Sequence, residues 1–459
     1  MTESMPIGSY LIGEHHIHLT GIGGVSMCAL AQVLASRGLR ITGSDMQESA
    51  TTRLLEESGI PVVIGHFAEN VTGADCVIRT AAVHDDNPEI ASARAQDIPV
   101  FERAQALGEL MRHYRNAVCV AGSHGKTTTT SMLTHIYIEA GADPTAMIGG
   151  YLPLLGGGHR VGNGDTIILE SCEYCNSFHN FLPTLAVILN VDNDHLDFFG
   201  TLENVKESFR HFAGLVPEDR GMVLVNGEDT NAMDCLAGLE RKLVTFGFDS
   251  RCDIHPENPT EDLRQFDVVV GTEFYCRAEL NVIGRHNAMN ALAAAGAAAL
   301  SGIPGEAAAA GLRSFGGTQR RLEFKGTFRG AAVYDDYAHH PNEVRATLET
   351  VRDYMNGRIL CVFQPHTYSR TKNLFAEFLS VLALPDVTLL TPIYAAREQN
   401  VYGISSADLA ARLPNAEYLP SLDAVTERLR ELALPGDIIL TMGAGDIWKV
   451  GEALLEQGE

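Results

Sequence analysis

One short stretch carries the residue types that phosphate chemistry requires. Residues 118–130 read V-C-V-A-G-S-H-G-K-T-T-T-T, in which an apolar run precedes a glycine-rich turn and a segment with helical character. Backbone N–H groups in such a turn point into one concavity, and the helix N-terminus adds partial positive charge. Lys126 would reach the terminal phosphates of a nucleotide, and the Thr127 hydroxyl would bind Mg²⁺. The stretch therefore predicts an ATP site.

The spacing differs from the common phosphate-loop pattern, which has a glycine five residues before the Gly-Lys pair. Val120 occupies that position here, and the nearest glycine is Gly122. An ordinary strand-to-helix turn with a solvated lysine is therefore the alternative interpretation, although the flanking strand and helix favour the ATP site. A helix start stabilises an anion by only about 0.3–2 kcal/mol, so the lysine and the metal must neutralise most of the charge.

Polar side chains follow two apolar runs downstream of this turn. Residues 166–169 lead into Glu170, and residues 185–189 lead into a polar segment that contains His195. Continuous apolar runs are typical of buried parallel strands, and ligands collect at the carboxyl ends of such strands. Glu170 and His195 would then complete a Mg²⁺ site with Thr127, with helix capping or a surface turn as the alternative for each. Because Mg²⁺ prefers oxygen, the histidine is the unusual ligand.

The chain begins with a second glycine-rich turn. A strand over 16–20, the turn 21–24 and a helix over 25–37 precede a strand that ends near Asp45. Glycines let the backbone approach a diphosphate, and the carboxylate could meet a ribose. Ser26 stands where the usual dinucleotide fingerprint has its third glycine, so a nicotinamide-dependent dehydrogenase is a competing interpretation.

The last third of the chain again alternates strands and helices. Four strands lead into the polar segments 335–341, 364–370, 392–397 and 443–446. This arrangement predicts a second open α/β sheet with a binding edge. Before it, Arg320 and Arg321 follow a glycine-rich hinge and would either clamp phosphate or form a solvated basic turn. Asn287 and Asn290, one helical turn apart, would face an adenine edge or cap a helix.

The composition narrows the function classes. With 459 residues and 45% hydrophobic residues, the chain is long enough for about three globular domains. A formal net charge of −24 argues against binding to nucleic acid or an anionic membrane. Nine scattered cysteines and no secretory-type leader lead us to expect a cytoplasmic protein. Cys172 and Cys175 have C-x-x-C spacing but no matching second pair, so we interpret them as incidental thiols beside a site.

Together these stretches resemble the Mur ligase family, the ATP-dependent amide-forming enzymes of peptidoglycan precursor synthesis. The matching motifs are H-L-T-G-I-G-G, G-S-H-G-K-T-T-T-T, D-N-D-H-L-D, G-R-H-N-A-M-N-A, R-R-L-E-F, D-D-Y-A-H-H-P-N-E, F-Q-P-H-T-Y-S-R-T and M-G-A-G-D-I. They occur in the expected order and span nearly the whole chain. The strings D-D-Y-A-H-H-P and F-Q-P-H-T-Y-S-R-T are the most specific.

The resemblance implies an α/β fold of three domains. Residues 1–109 would form a Rossmann-like UDP-sugar-binding domain, 110–315 a central P-loop ATPase-type domain with a parallel sheet, and 316–459 a Rossmann-like domain that binds an amino acid. ATP and Mg²⁺ are the implied cofactors. UDP-N-acetylmuramate and L-alanine are the implied substrates, joined through an acyl phosphate. Neither nucleic acid nor a membrane is an expected partner, and monomer and homodimer both stay open.

The same resemblance assigns roles to single residues. The UDP portion is expected against Gly21, Ile22, Gly23, Gly24 and Asp45. ATP is expected on Gly122, Ser123, His124, Gly125, Lys126, Thr127 and Thr128, approached by Asn287, Arg321 and Asp336. Mg²⁺ is expected on Thr127, Glu170 and His195, and the incoming alanine on His340 and Arg370. The catalytic candidates are Lys126, Glu170, His195, His340 and Arg370.

Departures from the family pattern leave three details open. Many relatives have aspartates where this chain has Cys172 and Cys175, which affects the outer metal site. Many also have arginine where this chain has Thr367, so the sequence does not fix the strictness of alanine selectivity. Sibling ligases hold a second Mg²⁺ with a carbamylated lysine, for which Lys206 is only a nearby candidate.

Three alternative functions remain at this point. One is a ligase that adds a preformed peptide to UDP-N-acetylmuramate, although the F-Q-P-H-x-Y-S-R-T string favours a single amino acid. Another is a nicotinamide-dependent oxidoreductase built on the first glycine turn. The last is a non-catalytic nucleotide-binding regulator, against which the presence of Lys126, Glu170 and His195 argues.

We expect Lys126→Ala to abolish ATP turnover, because the transferring phosphoryl group then loses its main protein cation. Binding of the UDP sugar should stay nearly intact, since that ligand belongs to another domain. Phosphate release and equilibrium titration with the UDP sugar measure the two effects separately. Loss of both together would contradict the domain assignment.

Overall fold

The computed structural model describes residues 5–396 and 398–456, which form three sheets connected by helices. The first unit contains β1 (His16–Thr20), α1 (Val25–Ser36), β2 (Arg40–Asp45), α2 (Ala50–Glu57), β3 (Val62–Ile64), β4 (Cys76–Arg79), α3 (Pro88–Ala95), β5 (Val100–Glu102) and α4 (Arg103–Met111). Its strands are all parallel, in the order β3-β2-β1-β4-β5.

Strand β1 lies at the centre of this first sheet, and all five of its residues are buried. The strand order reverses direction beside β1, because β2 and β3 lie on one side and β4 and β5 on the other. Ligands of open α/β sheets bind outside the carboxyl ends of the strands at such a reversal. The glycine turn after β1 and Asp45 at the end of β2 both lie at this edge.

The central unit is built on a ten-stranded sheet. It contains β6 (Asn116–Ala121), α5 (Lys126–Glu139), β7 (Thr145–Leu152), β8 (Gly157–Arg160), β9 (Thr166–Glu170), β10 (Leu185–Ile188), α6 (Leu196–Phe199), α7 (Leu202–Gly214), β11 (Met222–Asn226), α8 (Thr230–Leu236), β12 (Lys242–Phe246), β13 (Ile254–Glu257), β14 (Gln265–Val270), β15 (Glu273–Glu279), α9 (Arg285–Leu300) and α10 (Gly305–Ser314). The strand order is β15-β14-β13-β12-β11-β10-β6-β9-β7-β8.

Strand β6 is paired in parallel with β10 on one side and β9 on the other. The carboxyl ends of these three strands therefore meet, and they carry the glycine-rich turn, Glu170 and the polar segment 190–195. Most residues of the three strands are buried, as their continuous apolar runs predict. Antiparallel strands extend the sheet at both ends, with β8 on one edge and β14 and β15 on the other.

The third unit is a six-stranded sheet in the order β16-β17-β21-β18-β19-β20. It contains β16 (Glu323–Phe328), β17 (Ala331–Asp336), α11 (Pro341–Tyr354), β18 (Ile359–Phe363), α12 (Tyr368–Asn373), α13 (Phe375–Leu382), β19 (Val387–Leu390), α14 (Ser406–Ala410), β20 (Ala416–Tyr418), α15 (Leu422–Leu432), β21 (Ile438–Met442) and α16 (Trp448–Glu456). Only the pairing of β16 with β17 is antiparallel among these described strands.

The prediction of an α/β fold with three sheet-based units is confirmed. The exact borders at 109/110 and 315/316 stay predictions, and residues 1–4 and 457–459 of the outer predicted domains lie outside the described residues. Across the described ranges, every helix is too short or too polar to cross a bilayer.

Helix α5, which follows the glycine-rich turn, is packed tightly against α10, and Gly311 of α10 lies directly against the backbone of α5. A Cβ added at Gly311 would lie 2.4 Å from Cα and 2.6 Å from the backbone nitrogen of Ile136 in α5. Only a residue without a side chain lets the two helix backbones approach this closely.

We expect Gly311→Ala to lower the free energy of unfolding by about 1–3 kcal/mol, because overpacking outweighs the better helix propensity of alanine. Chemical denaturation measures this change. Gly214→Ala is a matched control, since Gly214 also lies in a helix and its added Cβ would meet nothing closer than 4.0 Å. Equal stability of the two variants would contradict the tight contact between α5 and α10.

Candidate active site

The glycine-rich turn after β6 has a backbone that only glycine fits. Gly122 and Gly125 have positive φ angles of 149° and 84°. A Cβ at Gly122 would lie 2.9 Å from the Cβ of Leu189, and one at Gly125 would lie 2.5 Å from Oδ1 of Asn290. Between them, His124 donates its backbone N–H to Oδ1 of Asn190 at 2.8 Å. The neighbouring side chains therefore fix the backbone of this turn.

The side chain of Lys126 folds back over this turn. Its Nζ donates to the backbone oxygens of Gly122 and Ser123 and to Oε2 of Glu173, the last at 2.9 Å. Glu173 is almost fully buried, with 1% of its surface exposed. Burial disfavours the ammonium, but Glu173 outweighs that effect and raises the pKa of Lys126. Glu173 was not among our predicted site residues, although it is the second carboxylate of the string E-S-C-E.

The predicted metal ligands share one cavity of about 410 Å³ with Lys126. Thr127 donates its hydroxyl to Oε1 of Glu170 at 3.0 Å, and Oε2 of Glu170 accepts the backbone N–H of Gly149 at 2.6 Å. Nε2 of His195 lies 3.9 Å from Oε1 of Glu173. A hydroxyl and two carboxylates are oxygen donors that suit Mg²⁺, so the residues present fit this ion.

Cys172 also lines this cavity, whereas Cys175 is exposed. Burial raises the pKa of the Cys172 thiol to about 11, so it stays protonated near neutral pH. Lys206 is not among the residues that line the cavity. Its Nζ lies 2.9 Å from Oδ2 of Asp234 and 3.5 Å from Oε1 of Glu203.

A second cavity of about 200 Å³ lies between the central and third sheets. The predicted nucleotide-binding residues that line it are His124, Gly125, Thr128, Asn287, Arg321 and Asp336. Asp336 accepts hydrogen bonds from the backbone N–H groups of Leu322 at 2.8 Å and Ala338 at 2.7 Å. It therefore also fixes the backbone of two residues that line this cavity. Burial raises the pKa of Asp336 to about 6. Arg321 lines both this cavity and the one around Lys126.

His124 connects the phosphate turn to the third sheet. Its Nε2 lies 3.2 Å from Oδ2 of Asp192, and its Nδ1 lies 3.4 Å from Oε1 of Glu343 in α11. Burial disfavours the imidazolium, but the two carboxylates outweigh it and raise the pKa of His124 to about 10. His340 packs its ring 5.0 Å from that of His124, and its Nε2 donates to the backbone oxygen of Asn193 at 3.2 Å.

A third cavity, of about 500 Å³, contains the other predicted amino-acid residue, Arg370. A guanidinium nitrogen of Arg370 lies 2.9 Å from Oδ1 of Asp194. Thr367 lines the same cavity and is the N-cap residue of α12, with a positive φ of 66°. His340 is not among its lining residues, but it contacts the backbone of Asn193, next to the Asp194 that Arg370 contacts. Their roles stay predictions.

The first glycine turn lies at the edge of the N-terminal sheet. Gly21 has a φ of 81°, Ile22 is fully buried, and Gly24 precedes the first residue of α1. The backbone N–H of Gly23 donates to Oδ2 of Asp45 at 2.9 Å. The predicted residues of the UDP site therefore form one connected group.

A buried carboxylate, Glu89, holds the two strands that lead to this group. It is fully buried and accepts hydroxyl groups from Thr20 at 2.6 Å and Ser44 at 2.8 Å. Nε2 of His18 lies 3.3 Å away, and Asn70 donates at 2.6 Å. Burial disfavours the carboxylate, but these hydrogen bonds outweigh it and lower the pKa of Glu89 to about 2. Sequence reasoning missed Glu89, because only the fold brings its partners together.

These features define a three-domain α/β protein with a lysine-bearing glycine turn, a cluster of oxygen donors that would suit a metal ion, and cavities on both sides of that turn. Comparison with known protein families supports the description of three domains. Residues 16–115 match the Mur ligase family catalytic domain, 120–298 the Mur ligase middle domain, and 320–445 the Mur ligase glutamate ligase domain. The chain belongs to the Mur ligase family.

Comparison with individual proteins is more specific than comparison with the family models. The chain is 45% identical over 450 residues to the UDP-N-acetylmuramate–L-alanine ligase of Agathobacter rectalis, covering 96% of this chain and 98% of the relative. It is similar to the crystal structure of UDP-N-acetylmuramate–alanine ligase from Thermotoga maritima, with TM-score 0.79, 29% identity and coverage of 97% and 99%. A murein peptide ligase from Psychrobacter arcticus, with TM-score 0.73, 24% identity and coverage of 96% and 98%, shares the fold.

We expect Glu89→Gln to lower the free energy of unfolding by about 2–3 kcal/mol near neutral pH, because a buried charged acceptor is lost. Since the folded-state pKa is depressed from 4.5 to about 2, Glu89 stabilises the fold above pH 4.5 and loses this effect as pH falls towards 2. The stability difference between wild type and variant should therefore shrink below pH 4.5, as measured by thermal unfolding.

Glu56→Gln serves as the control for this substitution, because Glu56 is exposed on α2 in the same unit. It should leave both the stability and its pH dependence close to wild type. A Glu89→Gln difference that stays constant with pH would contradict a depressed pKa at Glu89.

Proposed function

We propose that this chain is an ATP-dependent ligase that joins L-alanine to the lactyl carboxylate of UDP-N-acetylmuramate, in peptidoglycan precursor synthesis. The observation that carries the proposal is that two adjacent cavities have lining residues in common. Asp194 and His195 line both the cavity around Lys126 and the cavity that contains Arg370. A phosphoryl group held at the first cavity and an amine held in the second would thus be neighbours.

The reaction needs ATP because a carboxylate carbon is a poor electrophile. The lactyl carboxylate attacks the γ-phosphate, which forms an acyl phosphate and releases ADP. The amine of alanine then attacks the acyl carbon, a tetrahedral intermediate forms, and phosphate leaves as the amide bond is made. The protein supplies no covalent nucleophile in this sequence, so its main task is to align three reactants. Alignment of this kind can lower a barrier by about 7–11 kcal/mol.

Lys126 neutralises the charge that develops on the transferring phosphoryl group. Its raised pKa keeps the ammonium charged across the physiological pH range, and Glu173 fixes its position. Thr127 and Glu170, with His195, would hold Mg²⁺, which supplies further charge neutralisation when bound. Arg321 borders both nucleotide-facing cavities and is thus able to contact phosphate from the third unit.

Arg370 is the group best suited to the carboxylate of the incoming alanine. It lines the third cavity, and its guanidinium can bind a carboxylate with two parallel hydrogen bonds. One of its nitrogens already contacts Asp194, so the side chain is oriented before substrate binds. His340 would act from the neighbouring surface, where it contacts the segment that precedes His195.

The proposal includes the cellular setting and the cofactors. ATP and Mg²⁺ are assigned because the phosphate turn and the oxygen donors suit them. We place the reaction in the cytoplasm, where nucleotide substrates are made and where the nine cysteines of the chain would remain reduced. Addition of a preformed peptide instead of alanine is the remaining alternative within the same chemistry.

Purified protein supplied with Mg²⁺, ATP and UDP-N-acetylmuramate should form ADP and phosphate only when L-alanine is also present. The sugar product should gain one alanine per ADP, as measured by coupled ADP detection and mass spectrometry. Parallel reactions with glycine, L-serine and a peptide beginning with L-alanine test selectivity. No ADP with alanine would refute the proposal, and turnover with the peptide alone would favour the alternative.

A further inference from the structure

Three side chains that can bind a metal ion meet where the third unit contacts the central unit. They are His124 of the phosphate turn, Asp192 of segment 190–195, and His340, which immediately precedes α11. Each offers one ligand atom, and these atoms lie within 4.8 Å of one another. Two of the side chains come from the central unit and one comes from the third, so a cation at this point would join the two units.

The separation of the first two ligand atoms matches that of a metal site. Nε2 of His124 lies 3.2 Å from Oδ2 of Asp192. Two ligands of a tetrahedral Zn²⁺, each about 2.0 Å from the ion, are separated by about 3.3 Å. The ring centroid of His340 lies 5.0 Å from that of His124. A modest adjustment of the His340 side chain would therefore complete a set of three ligands.

The other ring nitrogen of His124 has the partner that a metal-bound histidine requires. Nδ1 lies 3.4 Å from Oε1 of Glu343 in α11. A histidine ligand usually donates its second ring N–H to a carboxylate, a carbonyl or water, which fixes the tautomer that presents the first nitrogen to the metal. Glu343 is itself held in place, because its Oε2 accepts the backbone N–H of His340 at 3.2 Å. His124 is thus oriented as a ligand.

The charges at this point also favour a divalent cation. Burial disfavours the imidazolium of His124, but Asp192 and Glu343 outweigh that effect and raise its pKa to about 10. The two carboxylates therefore hold one positive charge between them, and a metal ion at Nε2 would replace it and release the proton. Burial lowers the pKa of His340, so this imidazole is neutral near pH 7 and would bind a metal without losing a proton.

A route to the cluster exists through the cavity of about 200 Å³ between the central and third sheets. His124, Asn342 and Glu343 all line this cavity. The side-chain amide of Asn342 donates to Oδ2 of Asp192, which orients the carboxylate and leaves that oxygen a second lone pair. Because ATP is expected in the same cavity, metal binding has to be measured without nucleotide.

We propose that His124, Asp192 and His340 form a second metal site, which binds Zn²⁺ or a similar transition-metal ion and leaves one position for water. Two imidazoles and a carboxylate are typical ligands of Zn²⁺, whereas Mg²⁺ prefers oxygen donors such as Thr127 and Glu170. The site is therefore chemically distinct from the expected Mg²⁺ site. Since one ligand belongs to the third unit, the bound ion would hold that unit against the phosphate turn.

Titration of the full chain with Co²⁺, in excess Mg²⁺ and without nucleotide, tests the proposal. Mg²⁺ occupies sites made of oxygen donors, so the Co²⁺ that binds reports on nitrogen ligands. One Co²⁺ per chain should bind and give the strong visible absorption of four-coordinate cobalt. Zn²⁺ should remove this absorption by displacing the Co²⁺, since it binds such ligands more tightly. Isothermal titration calorimetry measures the Kd for Zn²⁺.

Two substitutions remove one ligand each. Asp192→Asn keeps the shape of the side chain but removes its charge, and the Kd for Zn²⁺ should rise by at least about tenfold, as when a partner of a metal ligand is lost. His340→Asn removes the imidazole but keeps a residue that caps a helix well, and it should have the same effect. Glu170→Gln is the matched control, because it removes a carboxylate that contacts Thr127 in the expected Mg²⁺ site. Its Kd for Zn²⁺ should equal that of wild type.

Several outcomes would overturn the proposal. They are a wild-type Kd for Zn²⁺ in Asp192→Asn or His340→Asn, loss of the cobalt absorption in Glu170→Gln, and a weak spectrum of six-coordinate cobalt in the wild-type chain. If one of the two ligand variants does not fold, the other decides, and the wild-type spectrum needs neither. None of these measurements depends on turnover, so the proposal stands or fails independently of the proposed function.

Discussion

The buried contact between Lys126 and Glu173 is the interaction on which the active site depends. A largely buried ammonium needs an opposite charge beside it, and Glu173 supplies that charge to Lys126 at 2.9 Å. The glycine turn, Thr127 and Glu170 are arranged around this pair at the carboxyl ends of β6 and β9. The central sheet is thus organised to hold one cation at a fixed place.

One segment, residues 190–195, connects the third unit to this centre. Asn190 holds the phosphate turn, Asp192 contacts His124, and Asp194 contacts Arg370. His340 reaches the backbone of Asn193 in the same segment. Because strand β10 positions this segment beside the turn, contacts from the third unit converge on the site of phosphate transfer rather than on a remote surface.

The sequence predicted those strands and helices that a short local run of residues specifies. Strand β1 and strand β21 have the residues that their apolar runs suggested, and the helix after Gly125 begins at Lys126 as a phosphate turn requires. The family resemblance then ordered these elements into three sheets, which the structure confirms. The antiparallel strands β14 and β15 were not predicted. They form one edge of the central sheet, and the glycine-rich motifs on which the prediction depended lie elsewhere in the sequence.

Residues whose role depends on a distant partner were harder to find. Glu89 acts through side chains from other segments of the chain, so no spacing in the sequence marks it. Glu343 ends the motif D-D-Y-A-H-H-P-N-E, but only the fold brings it to His124. Glu173 had a visible signal, since it follows Glu170 closely, but its contact with Lys126 required the folded strand end. His340 and Arg370 belong to separate segments of the third unit, and only the fold shows that they contact the adjacent residues Asn193 and Asp194.

The double contact of His124 has a thermodynamic consequence. This residue belongs to the turn that cradles nucleotide, and one of its two carboxylate partners, Glu343, belongs to α11 of the third unit. Any ligand that strengthens this bridge must bind more tightly when the third unit is docked, and docking must become more favourable by the same factor when the ligand is present. The His124 side chain thereby couples nucleotide binding to the docking of the third unit, and the coupling free energy is the same in both directions.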